Sequence, residues 1–205
     1  GGGQASGWQT FANYIPVGFD HILPKGLDHI LFVLGLFLLS TQLGPLLWQV
    51  SAFTLAHTVT LALGAMGWVN IPGSIVEPLI AASIVYVAVE NIWLGGLSRW
   101  RPFVIFGFGL LHGLGFASVL GDFGLPAGQF IPALIGFNIG VELGQLTVIA
   151  IAAALVWISL RAAMASDLEG EEVLVREPAV MFRAISVTGS LIIALIGSYW
   201  VIERV

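Results

Sequence analysis

A small set of polar side chains interrupts otherwise apolar stretches of this sequence. His57 lies in the middle of residues 51–60, SAFTLAHTVT, and His112 in the middle of residues 108–116, FGLLHGLGF. The full set is Asp28, His29, His57, Glu90, His112 and Glu142, with Asn91 and Asn138 behind them. Imidazole and carboxylate ligands suit Ni²⁺, Zn²⁺, Co²⁺ or Fe²⁺, and the absence of cysteine excludes thiolate sites. These residue types therefore indicate a site for a divalent transition metal.

The composition places these residues inside a membrane. Charged residues make up 9% of the 205 residues and hydrophobic residues 58%, whereas a soluble domain carries about 25% charged residues. Six apolar stretches approach the roughly 20 residues of a membrane span, at 27–40, 46–67, 75–95, 102–120, 130–160 and 180–202. Stretches this long exclude barrel strands, so we predict an all-α, polytopic membrane helix bundle of about six transmembrane helices. The net charge of −5 argues against nucleic acid as a partner.

The first of these spans is short. Residues 27–39 would form only about 20 Å of helix, and the residues before them are interrupted by Pro16, Pro24 and Gly26. We predict that residues 14–26 enter the membrane as a short helix or a re-entrant turn. The polar residues that open the span would then lie below the membrane surface.

The Lys and Arg residues of the loops predict the orientation. With six spans, both termini share one side of the membrane. Four arginines fall in loops on the opposite side (Arg99, Arg101, Arg161 and Arg176), whereas the side of the termini carries Lys25 and Arg204. Because cytoplasmic loops are enriched in Lys and Arg, both termini should be extracytoplasmic. The predicted organisation is an extracytoplasmic tail at 1–13 and one transmembrane domain at 14–205, with an acidic cytoplasmic loop at 161–179.

Several of the polar residues should share a depth in the membrane. At about 1.5 Å per residue from the extracytoplasmic end of each helix, His57 lies roughly 15 Å deep, His112 and Asn138 roughly 12 Å and Glu142 roughly 18 Å. Glu90 is deeper, at roughly 22 Å. Residues with unrelated structural roles would have no reason to share a layer, so the coincidence favours one site.

The fifth span has two distinct faces. Gly136, Gly140 and Gly144 recur every four residues and predict a stripe for close helix packing. Asn138 and Glu142 fall about 200° round the helix from this stripe. In the fourth span, the glycines around His112 are consistent either with helix packing or with backbone that lines a site.

Other chemistry could use the same residue types. A proton path or a proton-coupled carrier would need histidines and carboxylates, and two histidines could ligate haem, although the nearby acids suit haem poorly. An intramembrane metalloprotease would carry His-Glu-x-x-His, which is absent.

Several motifs, in order along the chain, resemble one known family. Residues 18–32, GFDHILPKGLDHILF, resemble the opening membrane motif of the HupE/UreJ family, which reads His-Pro-x-x-Gly-x-Asp-His in its best-known branch. Residues 53–63, 89–91 and 106–118 are similar to the second branch of that family. The resemblance implies a metal motif of His21, Asp28 and His29, and it matches His57, Glu90 and His112 to later polar positions. Pro does not follow His21, and the spacing from His21 to Asp28 is one residue longer than in the motif.

The resemblance also implies a function. Members of the family are hydrogenase or urease accessory proteins regarded as nickel or cobalt permeases of the bacterial inner membrane. Its implied partners are the lipid bilayer, the metal ion and a metallochaperone or hydrogenase or urease maturation proteins.

We therefore predict a protein that binds a divalent transition metal and transports it across the inner membrane, and that is not an enzyme. The predicted ligands are His29, His57, His112, Asp28, Glu90 and Glu142, with His21 as an outer ligand and Asn91 and Asn138 as supports. The alternatives are a non-transporting accessory or sensor protein that binds metal, and a membrane metalloenzyme that uses the same site.

Overall fold

The fold is built from seven helices. The computed structural model describes residues 6–39, 42–94, 96–123, 128–165 and 177–205, without the side chains of 118–123 and 165. The helices are α1 (Gly7–Ile22), α2 (Leu27–Leu39), α3 (Leu43–Ala65), α4 (Gly73–Trp93), α5 (Arg101–Phe123), α6 (Phe130–Ala165) and α7 (Pro178–Arg204). The described residues contain no strand, which confirms the prediction of an all-α bundle.

Helices α1 and α2 form a bent pair, as the two prolines and the glycine between 14 and 26 predicted. The two axes meet at 74° across a break of four residues that contains Pro24 and Gly26. Helix α1 begins at Gly7, inside the predicted tail at 1–13, because Ser6 and Gln9 form a reciprocal capping box at its first turn.

Four helices, α3, α4, α6 and α7, are long and apolar enough to cross a membrane, and the bent pair adds a fifth crossing if it forms one span. The fourth predicted span, 102–120, corresponds to α5, whose described apolar stretch, Arg101–Ala117, is shorter than a full crossing. Of the predicted acidic loop at 161–179, residues 166–176 lie outside the described residues. Helix α6 continues to Ala165 and α7 begins at Pro178, so both helices extend into the predicted loop.

The predicted glycine stripe packs α6 against α1. A Cβ atom added at Gly136 would meet the backbone of Phe11, and one added at Gly140 would meet the backbone of Ile15. The two helices therefore run side by side in the same direction and touch through their main chains. This contact confirms the packing role of the stripe and fixes where α1 ends relative to α6.

Glycines of α5 make a similar contact with α3. Added Cβ atoms at Gly109 and Gly113 would meet the backbone of Phe53 and His57, respectively. These two glycines around His112 are therefore packing residues. Because α5 lies so close to α3, His57 and His112 come to the same level of the bundle.

Both termini lie at one end of the bundle. Gly7, at the start of α1, lies next to Gln129, which precedes α6. Arg204, at the end of α7, contacts Asp28 and the main chain of Glu77, near the start of α4. We call this end of the bundle the terminal end.

Candidate metal centre

Three histidines meet where the first span is broken. His21 occupies the last turn of α1, His29 the first turn of α2, and His57 the middle of α3. The ligand nitrogens of the three side chains all lie within 4.8 Å of one another. His112 of α5 joins them as a neighbour, with its ring centroid 5.0 Å from that of His29. The break in the span is what brings His21 and His29 together, with their rings edge to face.

Each of the four histidines has a buried nitrogen without a hydrogen-bond partner in the described part of the chain. These atoms are His21 Nε2, His29 Nε2, His57 Nε2 and His112 Nδ1. Buried polar atoms in proteins are hydrogen-bonded in about 90% of cases or more. Four such exceptions in one cluster indicate that these nitrogens lack a common binding partner, which a metal ion would supply.

The partners of the other ring nitrogens identify which nitrogen of His57 and His112 carries the lone pair. Asn138 donates through Nδ2 to the carbonyl of Leu134, so its Oδ1, 3.4 Å from His57 Nδ1, accepts from that nitrogen. Ser83 donates to the carbonyl of Ile80, so its Oγ accepts from His112 Nε2 at 3.0 Å. The remaining nitrogens, His57 Nε2 and His112 Nδ1, are left unprotonated in neutral rings, as metal ligands must be.

A cavity leads from the terminal end to this cluster. It has a volume of about 450 Å³, and His21, His29 and His112 form part of its wall. The carboxylates of Asp28 and Glu77 also line the cavity. Lys25 and Arg204 line it as well, so a cation that enters toward the imidazoles passes two acidic and two basic side chains.

Arg204 lines this cavity and forms an ion pair with Asp28. Its Nη2 lies 3.1 Å from Asp28 Oδ1 and 3.4 Å from Oδ2, and its guanidinium stacks over Trp200. The guanidinium thus occupies the position in which an incoming cation would meet Asp28.

The structure assigns His21 a closer position than the sequence predicted. The sequence predicts His21 as an outer ligand, at the entry of the site. Instead α1 remains helical to Ile22, and the last turn directs His21 toward His29, with ring centroids 4.8 Å apart.

Glu90 was predicted as a ligand, but the structure places it elsewhere. Its carboxylate pairs with Arg101 at 2.5 Å, and this arginine is almost fully buried. Ser83, which contacts the histidine cluster through His112, precedes Glu90 by two helical turns, or about 10 Å. Glu90 therefore compensates a buried guanidinium rather than joining the imidazoles.

Asn91 also serves the far end of the bundle. It donates to the carbonyl of Gly35 at 2.7 Å and to Ser190 at 3.1 Å, and its Oδ1 accepts from Arg101. It ties α4 to α2, α5 and α7 and does not support a histidine. Asn138, by contrast, lies behind His57 as the sequence predicted.

Glu142 lies beside the histidine cluster but is not part of it. Its carboxylate accepts hydrogen bonds from Ser51 at 2.9 Å and from Thr54. Thr54 precedes His57 by about one turn of α3. The common layer predicted from depth thus holds for His57, His112 and Asn138, while Glu142 occupies the next level down.

Three residues around the centre carry little signal in the sequence. Ser83 is one of two serines in the apolar helix α4, and Glu77 is an acid in the first half of the same helix. Arg204 was counted only for the orientation. Glu77, near the start of α4, and Arg204, near the end of α7, both lie at the terminal end. The shared end, predicted from the topology, is the one signal that places them together.

A comparison with protein families agrees with the resemblance seen in the motifs. The family model described as HupE / UreJ protein matches residues 2–204. The chain belongs to the HupE/UreJ family. No curated protein and no solved structure matches it. The HupE/UreJ family is associated with nickel and cobalt transport as an accessory function, and it is not an enzyme family.

Proposed function

We propose that this chain binds a divalent transition metal, Ni²⁺ first and Co²⁺ or Zn²⁺ next, at the histidine centre and moves it across the bacterial inner membrane. The observation that carries the proposal is the convergence of the ligand nitrogens of His21, His29 and His57 at the break between α1 and α2, with the unpartnered Nδ1 of the neighbouring His112 beside them. Intramembrane sites of transporters commonly lie at such broken helices.

The donor set suits this cargo. Neutral imidazole nitrogens favour borderline metals over Ca²⁺ and Mg²⁺, which prefer oxygen. Nitrogens that bind one ion at about 2.1 Å lie at most about 4.2 Å apart, so a spread within 4.8 Å needs only a small contraction. Glu77 in the cavity wall, and Asp28 once it parts from Arg204, compensate the charge of the ion as it approaches.

In this function the terminal end faces the extracytoplasmic side, and the metal moves inward. The cargo then passes to a metallochaperone or to a hydrogenase or urease maturation protein, as the family resemblance implies. Movement through the membrane distinguishes a permease from a membrane protein that only stores or senses the metal.

Uptake into sealed vesicles tests the proposal. Purified protein should bind Ni²⁺ and load it into proteoliposomes that contain a metal indicator, while His29→Ala should lose both properties. Ser159→Ala is the matched control, because this exposed hydroxyl bonds only to Leu155 of its own helix.

The same samples give a binding readout. At a metal concentration of about 100 times Kd, a ligand of the folded state adds about 2.7 kcal/mol to the free energy of unfolding. Ni²⁺ should therefore raise the melting temperature of the wild type and of Ser159→Ala, but not of His29→Ala. Binding without uptake would refute transport and leave an accessory or sensor protein.

A further inference from the structure

A second cleft lies between α3 and α6, with a mostly apolar surface that carries a few polar groups. It has a volume of about 340 Å³. Its polar wall is formed by Ser51, Thr54 and Thr58 of α3 and by Asn138 and Glu142 of α6. The spacings of three and four residues place each group on one helix face. We call this feature the Glu142 cleft.

The carboxylate of Glu142 is positioned by hydroxyl groups rather than by a positive charge. Ser51 donates to one carboxylate oxygen and Thr54 to the other. Each ion pair seen among the described residues involves another acid, namely Asp20, Asp28 or Glu90. The negative charge of Glu142 is thus held in place beside the cleft without a cationic partner in that part of the chain.

Oxygen acceptors outnumber hydrogens around Thr54. Its single hydroxyl hydrogen faces Glu142, the carbonyl of Val50 at 3.1 Å and Gln145 Oε1 at 3.3 Å. Gln145 is fully buried, and its Nε2 has no partner among the described residues. That Nε2 group is a donor, which a cation would not satisfy. The one hydrogen of Thr54, however, cannot serve all three acceptor oxygens, so lone pairs of Glu142 and of Gln145 Oε1 stay available to a cation.

Asn138 connects the cleft to the histidine centre. Its Oδ1 contacts His57, and the same side chain lines the cleft beside Glu142. Thr54 lies one turn of α3 before His57, on the side away from the terminal end. A cation that leaves His57 and moves deeper along α3 reaches Glu142 next.

We propose that the Glu142 cleft is a second binding site for the transported metal, occupied after the metal leaves the histidine centre. Glu142, Ser51, Thr54 and Gln145 supply oxygen ligands there. The proposal rests on the transport function proposed above. Oxygen ligands bind Ni²⁺ and Co²⁺ less strongly than imidazole does, and conduction requires sites that release the ion as well as bind it.

The test separates binding at the histidines from passage through the cleft. Glu142→Gln keeps the size of the side chain and one acceptor oxygen, and it removes the charge. Ni²⁺ should bind this variant as tightly as the wild type in detergent, whereas uptake into proteoliposomes should fall to the level of empty vesicles. Glu142→Asp should retain part of the uptake. Glu177→Gln, an exposed carboxylate at the start of α7, is the matched control and should transport normally.

Thr54→Val provides a second test should Glu142→Gln fail to fold. It removes a ligand and a donor from the cleft while it keeps the shape, so uptake should again fall with binding intact. Wild-type uptake in both variants would overturn the second site. Loss of Ni²⁺ binding in Glu142→Gln to the level of His29→Ala would also overturn it, because Glu142 would then ligate the ion held by the histidines. Absence of uptake by the wild type would overturn transport itself and the second site with it.

Discussion

A methyl group added at Gly140 should displace α1 and, with it, His21 of the candidate metal centre. An added Cβ would meet the carbonyl of Ile15, and it would lie 2.7 Å from the backbone nitrogen of Phe19 and 3.0 Å from the carbonyl carbon of Gly18. Ordinary contacts begin at 3.4 Å. Because all three atoms are main chain, no side chain can rotate away, and α1 must move by about 0.7 Å or more at Phe19.

This movement reaches the histidines. His21 follows Phe19 by two residues on the same helix, whereas His29 and His57 belong to helices that Gly140 does not touch in this way. Metal sites need their ligands within about 0.5 Å of the productive geometry. We expect Gly140→Ala to cost about 1–3 kcal/mol of stability, as overpacking does. Ni²⁺ affinity should fall by about 10- to 100-fold, the range seen when supports of metal ligands are lost.

Gly107→Ala is the matched control. Gly107 lies on α5, and an added Cβ would meet nothing within 4 Å. This variant should keep its affinity for Ni²⁺ and gain about 0.5–1 kcal/mol of stability, because alanine suits a helix better than glycine. Melting in detergent and calorimetric titration with Ni²⁺ measure both quantities. If Gly140→Ala melts and binds like the wild type, α1 does not depend on main-chain contact with α6, and the position of His21 needs another explanation.

Two further predictions concern the approach of the metal and the orientation of the bundle. Arg204→Gln should raise the affinity for Ni²⁺ by about two- to fivefold, because it removes a cation that competes for Asp28 in a partly exposed pair. Arg161→Gln, near the opposite end of the bundle, should leave the affinity unchanged. Equal Ni²⁺ titration curves for the wild type and Arg204→Gln would exclude the competition. A cysteine at Asn70, in the α3–α4 connection at the terminal end, should react with an impermeant thiol reagent in intact cells, and one at Gly96 should be protected; the opposite labelling pattern would reverse the orientation.

Helix periodicity explains what the sequence could predict. In an α-helix, distance along the chain converts directly into depth, so His57, His112 and Asn138 could be placed in one layer from sequence numbers alone. The stripe of Gly136 and Gly140 was similarly visible, because close packing needs small residues at a fixed interval. The break in the first span followed from Pro24 and Gly26, which interrupt helical hydrogen bonding.

Helix rotation explains what the sequence could not predict. Glu90 has the right chemistry for a ligand, but whether it turns toward the histidines or toward Arg101 depends on how α4 is rotated against α5. In a uniformly apolar helix, no polar face reveals that rotation. Arg204 is distant from Asp28 in sequence, and their pairing follows only from how α7 packs against α2. The start of α1 does not depend on helix rotation, because the pattern Ser6-x-x-Gln9 is a local capping signal that the sequence alone contains.

The placement of the acids follows from the cost of charge in an apolar medium. A buried carboxylate needs a compensating group, and Asp28 and Glu90 have one in Arg204 and Arg101. Glu142 has hydroxyl hydrogens instead, which orient the carboxylate but leave its charge uncompensated. The histidines carry no charge in their metal-binding form, so burying them in the bundle without a metal has little electrostatic cost. In the proposed function, a dication on the imidazoles would reverse this balance, since the centre would then carry two positive charges, and the uncompensated carboxylate one turn deeper would be the nearest favourable position along α3. The difference in charge between the empty and the loaded centre would then drive the ion away from the terminal end.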